Sequence, residues 1–427
     1  MAIGEVNRDR FFDEEFRQSI YKLTDGDRVR TCIQCGTCSG VCPFGYWMDL
    51  APRQMVRTLK EDNLDRSKAA DTVWLCVSCY ACATACPQQI PLTTALISRT
   101  REELLLAGDI PHELQIALEN SQRYGNSNGE SPRKRVDWIK ETSPPIRLIS
   151  KVKRPVEVLW YVGDYTSYHQ RVQKAAKALA LVLFALDVDF AILGREEVSD
   201  GDSQRLAGES GLFELLAEKN SRAFSKYDFN EIITTDPHAF NALKNEYPRL
   251  GFSFPVRHYT EFLADRLDDL EPLLKKKVNA LVTYHDPCYL GRANDIYDQP
   301  RALLGAIPGV VLVEMSHNRS HSLCCGNGGG GLWLQGYQWE RTGNRLAEWR
   351  VREAVCARPE KPFSTVLGEK KRRKAYRKET QLPSTRILAV ACPYEAPCFE
   401  EAAKLVPGAS DLLVKDIAEL LAEALGD

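Results

Sequence analysis

The chain has no apolar run long enough to cross a bilayer: the longest, Ala178 to Leu186, falls far short of the ~20 residues a spanning helix needs. It has little net charge, −2 from 56 basic and 58 acidic residues, so the basic excess of a nucleic-acid-binding surface is missing. Its opening residues, MAIGEVNRDRFFDEEF, have no apolar stretch of a secretory signal and are acidic where a transit peptide is not. Together these absences predict a soluble, cytoplasmic protein that is not itself transmembrane and reaches the inner face of a membrane only through a partner. Cysteine is missing from the whole stretch between Cys86 and Cys288, although the chain holds 14. Hydrophobic residues at 44% and charged residues at 27% are globular values, and 427 residues at roughly 150 per domain suggest about three domains.

Clustered cysteines in a long, unsecreted chain point to metal or redox groups rather than disulfides. Eight fall in residues 1–110 and six between Cys288 and Cys398. Residues 111–152 are polar and rich in Asn, Gly, Ser and Pro (RYGNSNGESPRKR, ETSPP), and read as a connector with little core of its own. From residue 153 strand and helix patterns alternate: VEVLWYV, then helix-periodic Gln170–Leu186, DFAIL, GLFELLAEKN, EIITT, HAFNALKNE and VRHYTEFLADRL. A second such series opens at ALVTYHDPC. Alternation of this length predicts α/β layers on mainly parallel sheet.

The two α/β stretches, 153–277 and 278–427, overlay as a tandem repeat. Asp164 falls on Cys288, Ser199-Asp200 on Cys324-Cys325, and Asp236 on Cys392. The last two offsets, 125 and 156, leave about 31 extra residues in the second copy, an insertion at about 355–385 that includes the basic run Lys370 to Lys378. That run reads as a solvated loop, with docking of an acidic partner as its functional alternative.

Cys32-Ile-Gln-Cys35-Gly-Thr-Cys38-Ser-Gly-Val-Cys42-Pro43 and Cys76-Val-Ser-Cys79-Tyr-Ala-Cys82-Ala-Thr-Ala-Cys86-Pro87 are the same C-x-x-C-x-x-C-x-x-x-C-P string twice. Three thiolates of one string converge on three corners of an iron–sulfur cube, and the remote cysteine of the other string takes the fourth, as in two-cluster bacterial ferredoxins. The predicted sets are Cys32, Cys35, Cys38 and Cys86 for one 4Fe–4S cluster, and Cys76, Cys79, Cys82 and Cys42 for the other. Structural zinc explains neither the third and fourth cysteines nor the prolines.

A second constellation comprises Cys288, Cys324-Cys325 and Cys392, with the glycine-rich stretch Gly326 to Gly331 (GNGGGG) beside the pair. Glycines there let main-chain N–H groups approach sulfide or an anion. The letters also satisfy G-x-G-x-x-G, but no apolar strand precedes them and no acidic residue follows at the right distance, which excludes a dinucleotide site.

The C…CCG…C pattern, with HDPCYLGR and CCGNGGGGLW, resembles the cysteine-rich CCG domain of the heterodisulfide reductase family. With the doubled N-terminal string, residues 20–427 resemble that family's fused reductase subunit. The resemblance implies an α+β fold: an α-helical ferredoxin domain, then two α/β CCG domains. It also implies five cysteine contacts per intact CCG domain. The first copy has none of them, carrying Asp164, Ser199, Asp200, Asp236 and Ala239 there, and is expected to be a structural pseudo-repeat. The second keeps Cys288, Cys324, Cys325 and Cys392 and has Glu395 at the fifth position. Its third cluster, cubane or non-cubane, would be a 4Fe–4S group bound by those four thiols, with Glu395 or Cys398 open as a further contact.

Two functions follow from the resemblance. One is an electron-transfer subunit between a flavoprotein, membrane or quinone partner, or another electron carrier, and the C-terminal cluster. The other is a reductase whose C-terminal cluster attacks a thiol or disulfide of a small molecule or protein. The remaining residues read plainly: Cys356 as an unligated thiol, His285 and His321 as hydrogen-bonded neighbours of the ligands, and Trp47, Trp74 and Trp333 as packing that excludes water.

Overall fold

The structure, a computed structural model, describes residues 13–61, 66–358 and 383–426. The basic run Lys370 to Lys378, and with it most of the expected insertion, lies outside the described residues.

Before the first strand every element among the described residues is helical: Glu14–Lys22, Pro52–Lys60, Arg66–Leu75, Ser98–Leu106 and His112–Tyr124 are the longer α-helices. Their ends are marked chemically. The Asp13 carboxylate accepts from Phe16 N at 2.9 Å, and Pro52 opens its helix where an N–H has no partner to lose. Ile20, Val29, Met55, Leu59, Val73, Trp74, Leu96 and Leu104 fill the core between them.

Two four-stranded parallel sheets follow, with the same internal order. The first runs β2-β1-β3-β4, from β1 (Val156–Tyr161), β2 (Phe190–Ile192), β3 (Phe229–Thr234) and β4 (Val256–His258). The second runs β6-β5-β7-β8, from β5 (Ala280–Tyr284), β6 (Val310–Leu312), β7 (Arg386–Val390) and β8 (Leu412–Asp416). Central strands such as VEVLWY are nearly continuous apolar runs because helices cover both faces. In each sheet the order reverses between its first and third strands in sequence, the place where open α/β sheets hold ligands beyond their carboxyl ends. The loops leaving β1 and β3 carry Asp164 and Asp236; those leaving β5 and β7 carry Cys288 and Cys392.

One apolar core joins both copies, running from Val158 and Trp160 to Val282, Tyr284 and Ile417. Arg171 braces the joint, donating to both Glu419 oxygens at 3.1 and 3.0 Å and to Val414 O at 2.8 Å. Tyr259 OH donates to Asp416 at 2.7 Å.

Residues 111–152 are not the bare connector their composition suggests. His112–Tyr124 is a full helix whose Leu114 and Leu118 enter the N-terminal core, and Trp138 and Ile146 pack into the core of the sheets. Polar letters dominate the segment, but its few apolar residues are spaced to land on three different cores, Ile149 entering the third.

Candidate metal centres

Both cysteine strings trace one loop. Gln34 and Gly36 in the first, and Ser78 and Tyr80 in the second, hold left-handed backbone at φ +59°, +84°, +51° and +61°. A left-handed residue on each side of the middle cysteine curls the chain so that successive thiols face one point. Glycine adopts this freely at 36; Tyr80 is held there by packing edge-on to Tyr289, ring centroids 5.2 Å apart.

The thiols meet across the strings. Cys32, Cys35, Cys38 and Cys86 line one small cavity, and Cys42, Cys76, Cys79 and Cys82 line another. Apart from the cysteines the walls are largely apolar, including Ile33, Val56 and Ile90 in the first and Phe44, Met48, Met55, Leu75 and Leu96 in the second. Ser78 N lies 3.4 Å from Cys76 Sγ, and Gln34 Nε2 lies 3.3 Å from Cys32 Sγ. Four thiols, an apolar shell and N–H···S contacts are the donor set an iron–sulfur cluster requires, so the residues present fit that group. Burial first, and neighbouring thiols second, push Cys42 and Cys82 far up; such a set ionises fully only with a cation to take the charge.

Arg101, which the sequence pattern does not single out, anchors the second loop. Fully buried, it donates to Val73 O at 2.6 Å, Cys76 O at 2.5 Å, Leu206 O at 2.7 Å and Ser78 Oγ at 3.2 Å.

The loops leaving β5, β6 and β7 bring Cys288, Cys324, Cys325 and Cys392 together, all buried. Cys79, Cys288 and Cys324 pack in one buried cluster; the thiols of Cys288, Cys325 and Cys79 push Cys324 up, and Cys324 with His285 pulls Cys325 down. The second four-thiol set and the C-terminal set are therefore immediate neighbours. Gly326 N approaches Cys324 Sγ at 3.4 Å. Gly328 has a different reason to be glycine: a Cβ there would fall 2.1 Å from His238 Nε2 of the first copy.

Glu395 opens the helix Glu395–Leu405 at the edge of this set. Its Oε1 lies 3.2 Å from His285 Nε2 and its Oε2 is buried with no hydrogen-bond partner among the described residues. Arg350 Nε donates to His285 Nδ1 at 2.8 Å, which leaves the ring proton on Nε2, facing the carboxylate. Burial, countered by His285, pushes Glu395 up to about 7. Ligand atoms of His285, Cys325 and Glu395 all lie within 4.8 Å of one another. Cys398 is turned instead to the Cys325 carbonyl, at 3.8 Å. Both candidate contacts border Cys325, the carboxylate within 4.8 Å of its thiol.

In the first copy Asp164, Ser199, Asp200, Asp236 and Ala239 occupy the equivalent crevice, all buried. The carboxylates are engaged by backbone: Asp164 accepts from Ser127 N at 3.2 Å, Asp200 from Asp202 N at 2.8 Å, and Asp236 from His238 N at 2.8 Å. The other residues sort unevenly. His285 is a buried neighbour of the thiols, but His321 is not: the 3-10 turn Arg319–His321 leaves it exposed. Trp74 is core, Trp333 packs against the same core, and Trp47 packs on Trp349 at 5.9 Å. Cys356 is exposed at the end of the helix Leu346–Cys356.

Comparison with known proteins agrees with this arrangement. Residues 31–91 match the 4Fe-4S dicluster domain family and residues 282–357 the cysteine-rich domain family. The probable iron-sulfur-binding oxidoreductase FadF of Bacillus subtilis is 31% identical over 96% of this chain and 61% of its own length. The EtfAB:quinone oxidoreductase of Syntrophomonas wolfei is 30% identical over 88% of this chain and 49% of its own length. The chain thus spans about half to three-fifths of those two relatives. One subunit of the dihydromethanophenazine:CoB–CoM heterodisulfide reductase of Methanosarcina mazei is 30% identical over 93% of this chain and 94% of its own length. Two cysteine strings with crossed thiols, a CCG half with its cysteines at strand ends and this end-to-end match place the chain in the family of that heterodisulfide reductase subunit and related iron–sulfur oxidoreductases.

Proposed function

We propose that the chain is an iron–sulfur electron-transfer subunit of a multi-subunit, heterodisulfide-reductase-like redox complex. In this reading Cys32, Cys35, Cys38 and Cys86 hold one 4Fe–4S cluster and Cys76, Cys79, Cys82 and Cys42 a second. Cys288, Cys324, Cys325 and Cys392 hold a third, with Glu395 rather than Cys398 as the nearer extra contact. Residues 1–110 are the two-cluster domain, 153–277 the copy without a cluster and 278–427 the copy with one. When bound, the clusters supply one-electron carriage; the chain's part is to hold them in series and keep water away.

The observation that carries this reading is the packing of Cys79 with Cys288 and Cys324 in one buried cluster, tied by Tyr289 OH donating to Ser78 O at 3.1 Å, which sets the second and third thiol sets side by side. At the other end of the series Cys35 is exposed, a place where an electron carrier can approach. A flavoprotein or a membrane or quinone-linked subunit is the proposed partner, on the cytoplasmic side. The names of the relatives support it, and no described helix is long and apolar enough to cross a membrane. The test is to reduce the anaerobic full-length protein and follow each centre by paramagnetic resonance. Electrons should reach the C-terminal centre through the other two; a C-terminal centre that stays oxidised while both others are reduced, whatever the potential applied, contradicts the series.

A second reading makes the C-terminal centre a thiol or disulfide reductase. A cleft lined by Cys325, Gly326, Asn327, Gln338, Arg345 and Cys398 favours it, because it leads from the surface to one thiol of that set. A facing first copy built of aspartates disfavours it for any reaction needing two such clusters. A thiol-induced change in the oxidised C-terminal signal distinguishes the two.

A further inference from the structure

One cation stands between the second and third thiol sets. Arg292 follows Cys288 by four residues, in the turn leaving the β5 loop. Its Nε donates to Cys79 O at 2.8 Å, across 213 residues of sequence. Its Nη1 donates to Ser322 O at 2.6 Å and Ser320 O at 3.4 Å, on the segment that leads into Cys324. A single guanidinium thus grips both the loop that carries Cys79 and the approach to Cys324.

Its charge is not spent elsewhere. Among the described residues no carboxylate pairs with it, and these hydrogen bonds all end on carbonyls. The loops it grips carry Cys79, Cys288 and Cys324, which pack together in one buried cluster. Two of those thiols belong to the third set and one to the second. The outer set has a cation of its own, Arg53, in the wall of its cavity, and none of these hydrogen bonds of Arg292 reaches it.

We propose that Arg292 is a positioning residue that couples the second and third centres and raises the reduction potentials of both above what their thiols alone would give. The inference rests on the ligand sets proposed above. Each one-electron reduction adds a negative charge, and a fixed positive charge beside two thiol sets stabilises the reduced form of both. The outer centre makes none of these contacts with Arg292, so its potential should not depend on that charge.

The experiment is a paramagnetic-resonance redox titration of the anaerobically reconstituted full chain as wild type, Arg292→Lys and Arg292→Gln, with iron measured on each. Wild-type iron is read first: fewer than three centres means the ligand sets are wrong, and the inference falls with them. With three centres present, Arg292→Gln should lower the midpoints of the second and C-terminal centres together and leave the outer one in place. Arg292→Lys, which keeps the charge, should stay near wild type. Unshifted potentials in Arg292→Gln overturn the proposal, as does an equal shift in Arg292→Lys, which would mark the guanidinium's hydrogen bonds and not its charge as the active feature. If Arg292→Gln loses iron, Arg292→Lys decides: full iron at wild-type potentials supports the role, and iron loss there too reduces Arg292 to packing.

Discussion

Removing the Arg135 guanidinium while leaving its partner in place should destabilise the first α/β copy strongly. Arg135 Nη1 lies 2.8 Å from Glu197 Oε1, with side chains only 2% and 1% exposed. The same carboxylate accepts from Val162 N at 3.0 Å and Gly163 N at 2.9 Å, so it fixes the chain where it leaves β1 toward Asp164. Burial pushes Glu197 up and Arg135 pulls it back. In Arg135→Met the aliphatic volume stays and the charge goes, stranding a carboxylate in the interior; breaking one side of a buried pair costs about 3–5 kcal/mol. The two backbone donors that remain place the expected loss near the lower end, about 3 kcal/mol. The sign with pH follows from the carboxylate. With Arg135 gone, its folded-state pKa rises further above the unfolded value, so the deficit is full at neutral pH and shrinks as pH falls toward about 4 and the group protonates. Adding Glu197→Gln, neutral and able to accept through its one amide oxygen from one of the two N–H groups, should recover part of the loss. Urea unfolding read by tryptophan fluorescence suits the region, since Trp138 and Trp160 pack 5.8 Å apart beside it. A loss below about 1 kcal/mol, or one independent of pH, would refute the reasoning.

Two further outcomes test the fold around the crevices. His258 is fully buried, with Nδ1 at 2.7 Å from Thr260 Oγ1, and burial pulls it down to about 3. Its folded pKa is depressed, so the stability it contributes is present above the unfolded value and is lost as pH falls: about 2 kcal/mol by about pH 5, a slope that His258→Gln should flatten in acid unfolding curves. Gly328→Ala would put a Cβ 2.1 Å from His238 Nε2 and must displace the ring from Asp202, 2.8 Å from its Nδ1. The expected loss is about 1–3 kcal/mol, with N-terminal iron unchanged; a variant as stable as wild type would contradict the packing.

The fold was legible where chemistry is local. Alternating apolar strands and helices announced both sheets, and the doubled string announced its loops because left-handed residues recur at equivalent sites, Gln34 with Ser78 and Gly36 with Tyr80. The tandem repeat was visible in paired landmarks even where the first copy has aspartates for cysteines. What the sequence hid acts at long range. Arg101 reaches Leu206 O, and nothing nearby in sequence distinguishes it from a surface arginine; Arg292 closes the HDPCYLGR stretch, but that its guanidinium reaches Cys79 O across 213 residues is not written there. Glycine-rich letters suggested an anion cradle, yet the demand at Gly328 comes from His238 in the other copy. Residues 111–152 misled because composition averages over positions, whereas Leu114, Leu118, Trp138 and Ile146 bury themselves one at a time.

Iron per chain in anaerobically reconstituted full-length protein, wild type against Cys325→Ser, tests the three-centre series most directly. Wild type should carry about twelve irons and no stoichiometric zinc, and Cys325→Ser about eight, with both ferredoxin-type signals intact and the third gone. Stoichiometric zinc, or a Cys325→Ser chain that keeps its full iron, would contradict it.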